Sequence, residues 1–321
     1  MNMGTLSLRV FNELFPDEVS ARAWFERARW PDGPVCPSCG AVDRAYWLKT
    51  VRRWECCVCA RQFSVTVGTP MHRTHLHLLT WAQATYLIVA SSKGISAVKL
   101  SEMLGVTYKT AWFLGRRVRA MMAEDHPLLS GVVEIDEMYA GASPRKRAKP
   151  VPPHDKDDRT PKNPQGRGTK RPLVLVAAER GGEVVAQVVP THGREAIAEA
   201  LEGKLAPDAV VMTDGLPAYK HLGAKHAHLS VNHSDREYAR TDPATGQRVH
   251  VNHVESFNGF LHRAVVGVWH KISAKHLGRY LGETAFRWNQ KTEAVLERMA
   301  RMVRMGEGRL LPYAFLTARP V

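Results

Sequence analysis

Long apolar runs are missing from this sequence: the longest, around Leu78 to Ala90, is interrupted by Thr80, Gln83 and Thr85 and is too short to span a bilayer. A transmembrane helix is therefore not expected. The opening stretch MNMGTLSLRVFNELFPDEVS has early acids and no continuous apolar segment, so it lacks the build of a secretory signal and the expected location is the cytoplasm. Cysteine is scarce and confined: all five lie between Cys36 and Cys59, which is not how a disulfide framework spreads through a secreted chain. Acids are also in deficit, 31 Asp+Glu against 45 Lys+Arg, and the formal charge of +14 creates a surface potential that attracts polyanions. Nucleic acid is the first candidate partner, and an association of the protein with the nucleoid follows from it. What remains, 44% hydrophobic and 24% charged over 321 residues, is ordinary globular chemistry with length for two or three cores and no internal repeat.

The cysteines form two knuckles, Cys36-Pro-Ser-Cys39-Gly and Cys56-Cys57-Val-Cys59, separated by sixteen residues. That is the arithmetic of a tetrahedral four-thiolate zinc ribbon. Two residues between ligands let both sulfurs of a knuckle reach one ion while neighbouring backbone N–H groups soften the thiolate charge, and Gly40 suits the tight turn after the first pair. Cys57 is the spare, with its substitution for Cys56 left open. Short aromatic and β-branched runs (Tyr46-Trp47, Val51 to Trp54, Phe63 to Val67) read as hairpins around the metal, and Gly68-Thr69-Pro70 closes the module. Four sulfurs leave no open position, so the ion would be structural. Ahead of the ribbon, Val19, Ala21, Trp24, Phe25 and Ala28 recur at helical spacing between about Pro16 and Trp30.

A helical region from roughly Leu78 to Met122 breaks near Lys93-Gly94 and again near Gly105. Its second half has the form of a helix-turn-helix: an apolar helix, a Gly-Val turn, and Thr107 as N-cap of a second helix. Val98, Leu100, Met103, Leu104, Val106, Ala111, Leu114 and Val118 are expected in its core. Tyr108, Lys109, Arg116, Arg117 and Arg119 are expected on its polar, basic face, the early residues reaching base edges and the later arginines phosphates. A helical hairpin that only packs against its neighbours is the alternative.

Val132 to Ala140 reads as a buried strand, Pro172–Glu179 and Glu183–Pro190 as a hairpin around Arg180-Gly181-Gly182, Arg194–Leu205 as a helix, Ala209–Thr213 as a strand, and Val254–Trp269 and Ala274–Met305 as helices. Between Gly141 and Pro172, ten Lys/Arg, three Asp and seven Pro leave almost nothing apolar, the composition of a mobile basic loop able to clamp DNA phosphates. Acids inside apolar strands are costly unless paired or bound to metal. In Val132-Val-Glu-Ile-Asp136-Glu, alternation sends Glu134 and Asp136 to one face and Glu137 to the other, and Asp136 lies nearer the strand's end. In Val210-Val-Met-Thr-Asp214-Gly an apolar strand ends in an acid, and Asp214 could approach Asp136 on a neighbouring strand. Val254, Phe257, Leu261 and Val265 make one apolar helical stripe, which leaves Asn252, Glu255, Gly259 and His262 on the polar side. Each acid alone also reads as an ordinary solvated or turn-forming carboxylate.

In order and combination these residues resemble insertion-sequence transposases with an N-terminal zinc ribbon and a DDE ribonuclease-H-like core. The resemblance covers nearly the whole chain. It rests on Trp30-Pro-Asp-Gly, Cys36-Pro-x-Cys39-Gly, Phe63-Ser-Val-x-x-Gly-Thr69-Pro, Val133-Glu-Ile-Asp136-Glu and Thr213-Asp214-Gly. It continues through Asn252-His-Val-Glu255-Ser-Phe to Gly267, and Lys275-His-Leu-x-Arg-Tyr280-Leu-x-Glu-x-x-Phe-Arg-Trp-Asn289. The resemblance implies an α/β fold, a ribonuclease-H-like mixed sheet with flanking helices. The expected domains are the lead-in helix and ribbon over 1–70, the helix-turn-helix over 71–128, and the catalytic domain over 129–321. It further implies that Asp136, Asp214 and Glu255 bind two Mg²⁺, which clamp the attacking and leaving oxygens of an in-line phosphoryl displacement. Water first cuts at the element's end, and the freed 3′-OH then attacks target DNA.

The family usually places Lys or Arg seven residues beyond the glutamate; here that position is His262, with Arg263 next, and both are candidates to hold the phosphate backbone. Some relatives use Asn as the third catalytic residue, which keeps Asn252 in view. The implied partners are double-stranded DNA, as terminal inverted repeats and target, and a second copy of the chain or a larger assembly. The histidines at 72, 75, 77, 221, 226, 228 and 233 match no standard ligand set and are read as loop and DNA-proximal residues, while Trp24, Trp30, Trp81, Trp112 and Trp288 are read as core. Rival readings are a ribonuclease-H-like nuclease that cuts without joining, and a DNA-binding regulator descended from a transposase.

Overall fold

The computed structural model describes residues 6–123, 128–141 and 169–312. Most of the basic stretch expected over 141–172 lies outside the described residues. Two compact units form: Met1–Glu124 together with Gln290–Val321, and Asp125–Asn289. The last helix of the chain falls in the first of these units.

The first unit begins with α1 (Leu8–Leu14) and α2 (Glu18–Arg29), capped by the side chains of Ser7 and Asp17, which accept from Val10 and Ser20 N–H. The small antiparallel sheet β1 (Ala45–Leu48), β2 (Arg53–Cys56) and β3 (Gln62–Phe63) follows, in that spatial order. Then come α3 (Leu78–Ala90), α4 (Ala97–Leu104) and α5 (Tyr108–Met121). No side chain of its own caps α3; Glu18 reaches over from α2 and accepts from Leu78 and Leu79 N–H at 3.0 Å each. Gly105 ends α4 in the left-handed region, at φ 63°, where a Cβ would be strained.

The second unit is built on a five-stranded sheet whose strands are β4 (Val132–Tyr139), β5 (Leu173–Glu179), β6 (Val184–Val189), β7 (Val210–Thr213) and β8 (Ala227–Ser230). Their spatial order is β6-β5-β4-β7-β8, with the β6/β5/β4 pairs antiparallel and the β4/β7 and β7/β8 pairs parallel. Three antiparallel strands followed by two parallel ones, with helices on both faces, is the ribonuclease-H-like arrangement. A two-stranded ribbon, β9 (Arg240–Thr241) and β10 (Arg248–Val249), leads into α7 (Asn252–Ala264). The helix α6 (Arg194–Leu201) and a 3₁₀ segment (Pro217–Ala224) cover one face of the sheet, and α7 with α8 (Ala274–Asn289) cover the other.

Period-two alternation divides β5 between these layers: Val174, Val176 and Ala178 join the core under α7 and α8, while Leu173, Leu175 and Ala177 join the core under α6. Both faces are buried, so the strand reads as an unbroken apolar run. The same alternation puts Val133 and Ile135 of β4 on the α6 side, and Val132 and Met138, hence also Glu134 and Asp136 between them, on the α7 side. On α8, Glu283 and Arg287 form a buried ion pair one turn apart, a structural role for two of the motif residues. The last helix, α9 (Val295–Met305), belongs to the first unit, where Arg29 of α2 pairs with Glu307 just beyond it at 2.6 Å. No helix among the described residues is long and apolar enough to cross a membrane.

Candidate active site

The sheet register decides where the strand acids meet. Glu134 stands beside Met212 and Ile135 beside Thr213 in the parallel β4/β7 pair, so the next residues lie side by side, Asp136 within β4 and Asp214 just past the end of β7. Asp214 is held there by a turn in which its Oδ1 accepts from Leu216 N–H at 3.0 Å. Glu255 comes from α7, whose Val254, Phe257 and Leu261 are each 0% exposed and face the sheet, as the apolar stripe predicts. Burying side chains of this size stabilises by about 1.5–3 kcal/mol each, which fixes the helix's rotation and leaves Glu255 on the open side.

Asp136 is half-buried, and its carboxyl is pushed up to about 7 by burial first, then by the charges of Glu137, Asp214 and Glu255. Among the described residues no Lys, Arg or His lies within ion-pair distance of Asp136, Asp214 or Glu255. A carboxyl whose proton affinity is raised beside two further carboxylates, none of the three with a protein countercharge, suits hard divalent cations. Among the described residues only the four-thiol group discussed below gathers closely enough to hold a single ion, and the three carboxylates do not form such a group. A pair of cations about 4 Å apart does not require that closure.

Glu134 is the opposite case. It is 0% exposed and fully partnered: Oε1 accepts from Arg180 Nε at 2.6 Å and lies 3.1 Å from His250 Nδ1. Its Oε2 accepts the His253 and Val254 N–H groups at 2.7 and 3.1 Å. Those are first-turn donors of α7, which has no cap of its own. Glu134 therefore seats the helix that carries Glu255. Glu134→Ala strands Arg180 and the α7 donors, and is expected to cost about 3–5 kcal/mol in chemical denaturation; a loss under 1 kcal/mol would refute this role.

Sequence reasoning passed over Asn258, one turn beyond Glu255, whose Nδ2 donates to Asp136 Oδ2 at 2.9 Å. The i,i+3 spacing on the helix face that bears Glu255 was the available signal. Glu137, sent to the other face by alternation, accepts from the Tyr219 hydroxyl and lies 3.4 Å from His192 Nδ1. Burial, followed by Glu137's charge, pushes that buried phenol's pKa far up. His262 and Arg263 are exposed at the far end of α7, and Asn252 is exposed at its first turn.

In the first unit, the sulfurs of Cys36, Cys39, Cys56 and Cys59 lie within 4.8 Å of one another. Two edges of the group, Cys36–Cys59 and Cys39–Cys56, measure 3.6 Å. A Zn–S bond of about 2.3 Å implies a tetrahedral edge of about 3.8 Å, so the four thiols fit one structural Zn²⁺. Backbone N–H groups of Cys59 and Val58 hold the Cys56 thiol down to about 7, against the pull of burial. Gly40 makes the turn after the first knuckle at φ 74°, and Ala60 does the same after the second at φ 55°. Cys57 is exposed and outside the group, which resolves which of the adjacent cysteines is the ligand.

The helix-turn-helix corrects part of its expected pattern. Thr107 does cap α5, accepting from Thr110 N–H at 3.2 Å, and Thr107, Tyr108 and Lys109 are exposed. Arg116 and Arg119, expected on the basic face, are 3% and 5% exposed. Arg116 lies with its guanidinium 3.7 Å from the Trp112 ring centroid, and Arg119 donates to the Ile95 carbonyl at 3.3 Å. Stacking and carbonyl capture compensate for their desolvation and turn them into packing residues. Val98 and Met103, expected in the core, are 56% and 50% exposed, because α4 buries only Leu100.

Comparison with known proteins matches these two regions separately. Residues 128–289 match the model of the ISXO2-like transposase domain, and residues 16–62 that of the transposase zinc-ribbon domain. A protein described as an uncharacterized protein in transposable element ISH50, from Halobacterium salinarum, is 32% identical over 252 residues, covering 75% of this chain and 81% of the relative. Two solved structures are also similar. The Mos1 strand transfer complex has a TM-score of 0.28 at 11% identity, over 71% of this chain and 75% of that one. The Mos1 transposase paired-end complex with left transposon end has a TM-score of 0.23 at 11% identity, over 72% and 80%. With the sheet order, the four-thiol group and a domain match across half its length, the chain belongs to the ISXO2-like transposase family and carries that family's zinc ribbon.

Proposed function

We propose that this chain cuts a phosphodiester at the end of a DNA element and joins the freed 3′-OH to target DNA, with Asp136, Asp214 and Glu255 as the metal-binding carboxylates. The observation that carries this is the register that sets Asp136 beside Asp214, together with the raised proton affinity of Asp136 in the field of both Asp214 and Glu255. Two Mg²⁺ held there would supply Lewis-acid stabilisation of the attacking and leaving oxygens. The chain's own residues do the positioning: Glu134 sets the angle of α7, and Asn258 holds one oxygen of Asp136 so that the other faces the site. His262 and Arg263 grip the backbone of the reacting strand. Thr107, Tyr108 and Lys109 at the start of α5 meet base edges of a terminal repeat, and Arg117 meets a phosphate. Pairing of two ends calls for a dimer or larger assembly, acting on DNA in the nucleoid.

The test uses the full chain, Mg²⁺ and duplexes ending in the inverted repeats that flank its reading frame. Cleavage followed by joining to a second duplex is the expected result. Cleavage without joining would mark a nuclease, and binding without cleavage a regulator. Asn258→Ala removes a hydrogen bond to a charged group, worth about 1.5–3 kcal/mol, and should slow cleavage roughly ten- to hundredfold with DNA affinity unchanged. An unchanged rate would remove Asn258 from the site.

A further inference from the structure

The first unit contains a cavity of about 470 Å³ whose polar lining is entirely neutral or basic: Thr69, His72 and Arg73 from the turn after the ribbon, and Arg117 from α5. Leu310, Leu311 and Pro312 form its apolar wall. Arg117 Nε and His72 Nδ1 are buried atoms without a hydrogen-bond partner among the described residues. A buried donor left unsatisfied costs about 1–3 kcal/mol, more when charged, and a hydrogen-bond acceptor bound beside these side chains would relieve that cost. Burial also pulls the Arg117 pKa down, as expected for a cation short of an anion. Arg73 is held at φ 53°, in the left-handed region that non-glycine residues rarely adopt. Such strain persists where the surroundings impose it and is concentrated at ligand-binding positions. Thr69 holds the turn that imposes it, its hydroxyl donating to the Thr66 carbonyl at 2.8 Å and accepting from Met71 N–H at 3.1 Å.

We infer that this cavity is a seat for a phosphate of the DNA backbone, gripped by Arg73 and Arg117 with His72 as a further donor. Planar guanidinium forks match phosphate oxygens in pairs. The seat joins the ribbon's exit to the helix-turn-helix: Arg117 lies eight residues beyond Lys109 on α5, about 12 Å along the helix. One bound phosphate would therefore fix how α5 is aligned on the duplex without reading sequence. The inference rests on the DNA-binding reading proposed above and adds to it a site formed by three segments far apart in the chain.

The experiment measures full-chain binding to a terminal-repeat duplex and to a scrambled duplex between about 50 and 200 mM salt, for wild type, Arg73→Gly, Arg117→Gln and Lys109→Gln. Glycine at 73 removes the charge and relieves the positive φ, so that variant should melt no lower than wild type while binding more weakly. Each cavity variant should lower the slope of log K against log salt by about 0.9 and weaken both duplexes by the same factor. Slopes unchanged in both cavity variants, with weaker binding to the terminal-repeat duplex alone in Lys109→Gln or with no change in any variant, would overturn the inference and leave the DNA-binding reading standing. Wild type that binds neither duplex would instead sink the DNA-binding reading itself. Inorganic phosphate that raises the melting temperature of wild type and not of Arg117→Gln, with slopes unchanged, would assign the cavity to a free anion and also overturn it.

Discussion

Asp136→Asn is expected to abolish cleavage and joining, by roughly a thousandfold or more, and at the same time to make the metal-free protein more stable. The first effect follows if Asp136 is a ligand of the reacting cations, since several kcal/mol of charge stabilisation in the transition state depends on it and about 4 kcal/mol is already three powers of ten. The second follows from the local field. In the unfolded chain an aspartate titrates near about 3.9, whereas in the fold burial and then neighbouring acids hold Asp136 at about 7. The native state thus binds the proton more tightly, and its stability falls as pH rises between those two values. Above pH 7 the folded protein carries the full penalty of the ionised carboxylate, on the order of 4 kcal/mol, and Asn removes it. In chelator the variant should match wild type near pH 4 and exceed it at pH 8. A variant less stable than wild type at pH 8 would contradict the electrostatic reading, whatever its activity.

Loss of zinc is expected to act on the other unit. The ribbon's strands are two to four residues long, too short to hold together by their own hydrogen bonds, and its fold depends on four sulfurs meeting around one ion. Structural zinc in small modules contributes about 10–16 kcal/mol of apparent binding free energy, which in such modules is folding free energy. Cys36→Ser, or a strong chelator, should therefore release zinc one for one and melt the ribbon, with loss of binding to terminal-repeat DNA. The sheet of the second unit should persist, because no cysteine lies in it. Cys57→Ser should retain zinc and fold. Release of zinc from Cys57→Ser, or retention in Cys36→Ser, would reverse the ligand assignment.

Much of this was legible in the residues because it depends on short periods. The apolar stripe of α7, the hairpin around Arg180-Gly181-Gly182 and the two knuckles are local patterns, and all three are seen in the fold. What stayed hidden was set by contacts between distant segments. Glu134 and Asp136 look alike in the strand, two acids of the same parity. Only the arrival of Arg180, His250 and the first turn of α7 at Glu134 separates a structural carboxylate from one without a countercharge. Arg116 and Arg119 read as a basic face because charge in a helix is usually solvated; Trp112 and the Ile95 carbonyl were there to receive them. The short strand β8 and the ribbon of β9 and β10 were not foreseen, being too brief for periodicity to register. The affiliation of α9 with the first unit depends on pairs such as Arg29 and Glu307, nearly the whole chain apart.

The acids within β4, just past β7 and on α7 stand at the centre of this account, and counting the divalent cations they bind tests it most directly. Calorimetric titration of Mn²⁺ into the protein bound to an element-end duplex should show two ions per catalytic site in wild type. At least one should be lost in each of Asp136→Asn, Asp214→Asn and Glu255→Gln. Equal stoichiometry and affinity in all four proteins would contradict the assignment of these carboxylates as the metal-binding site.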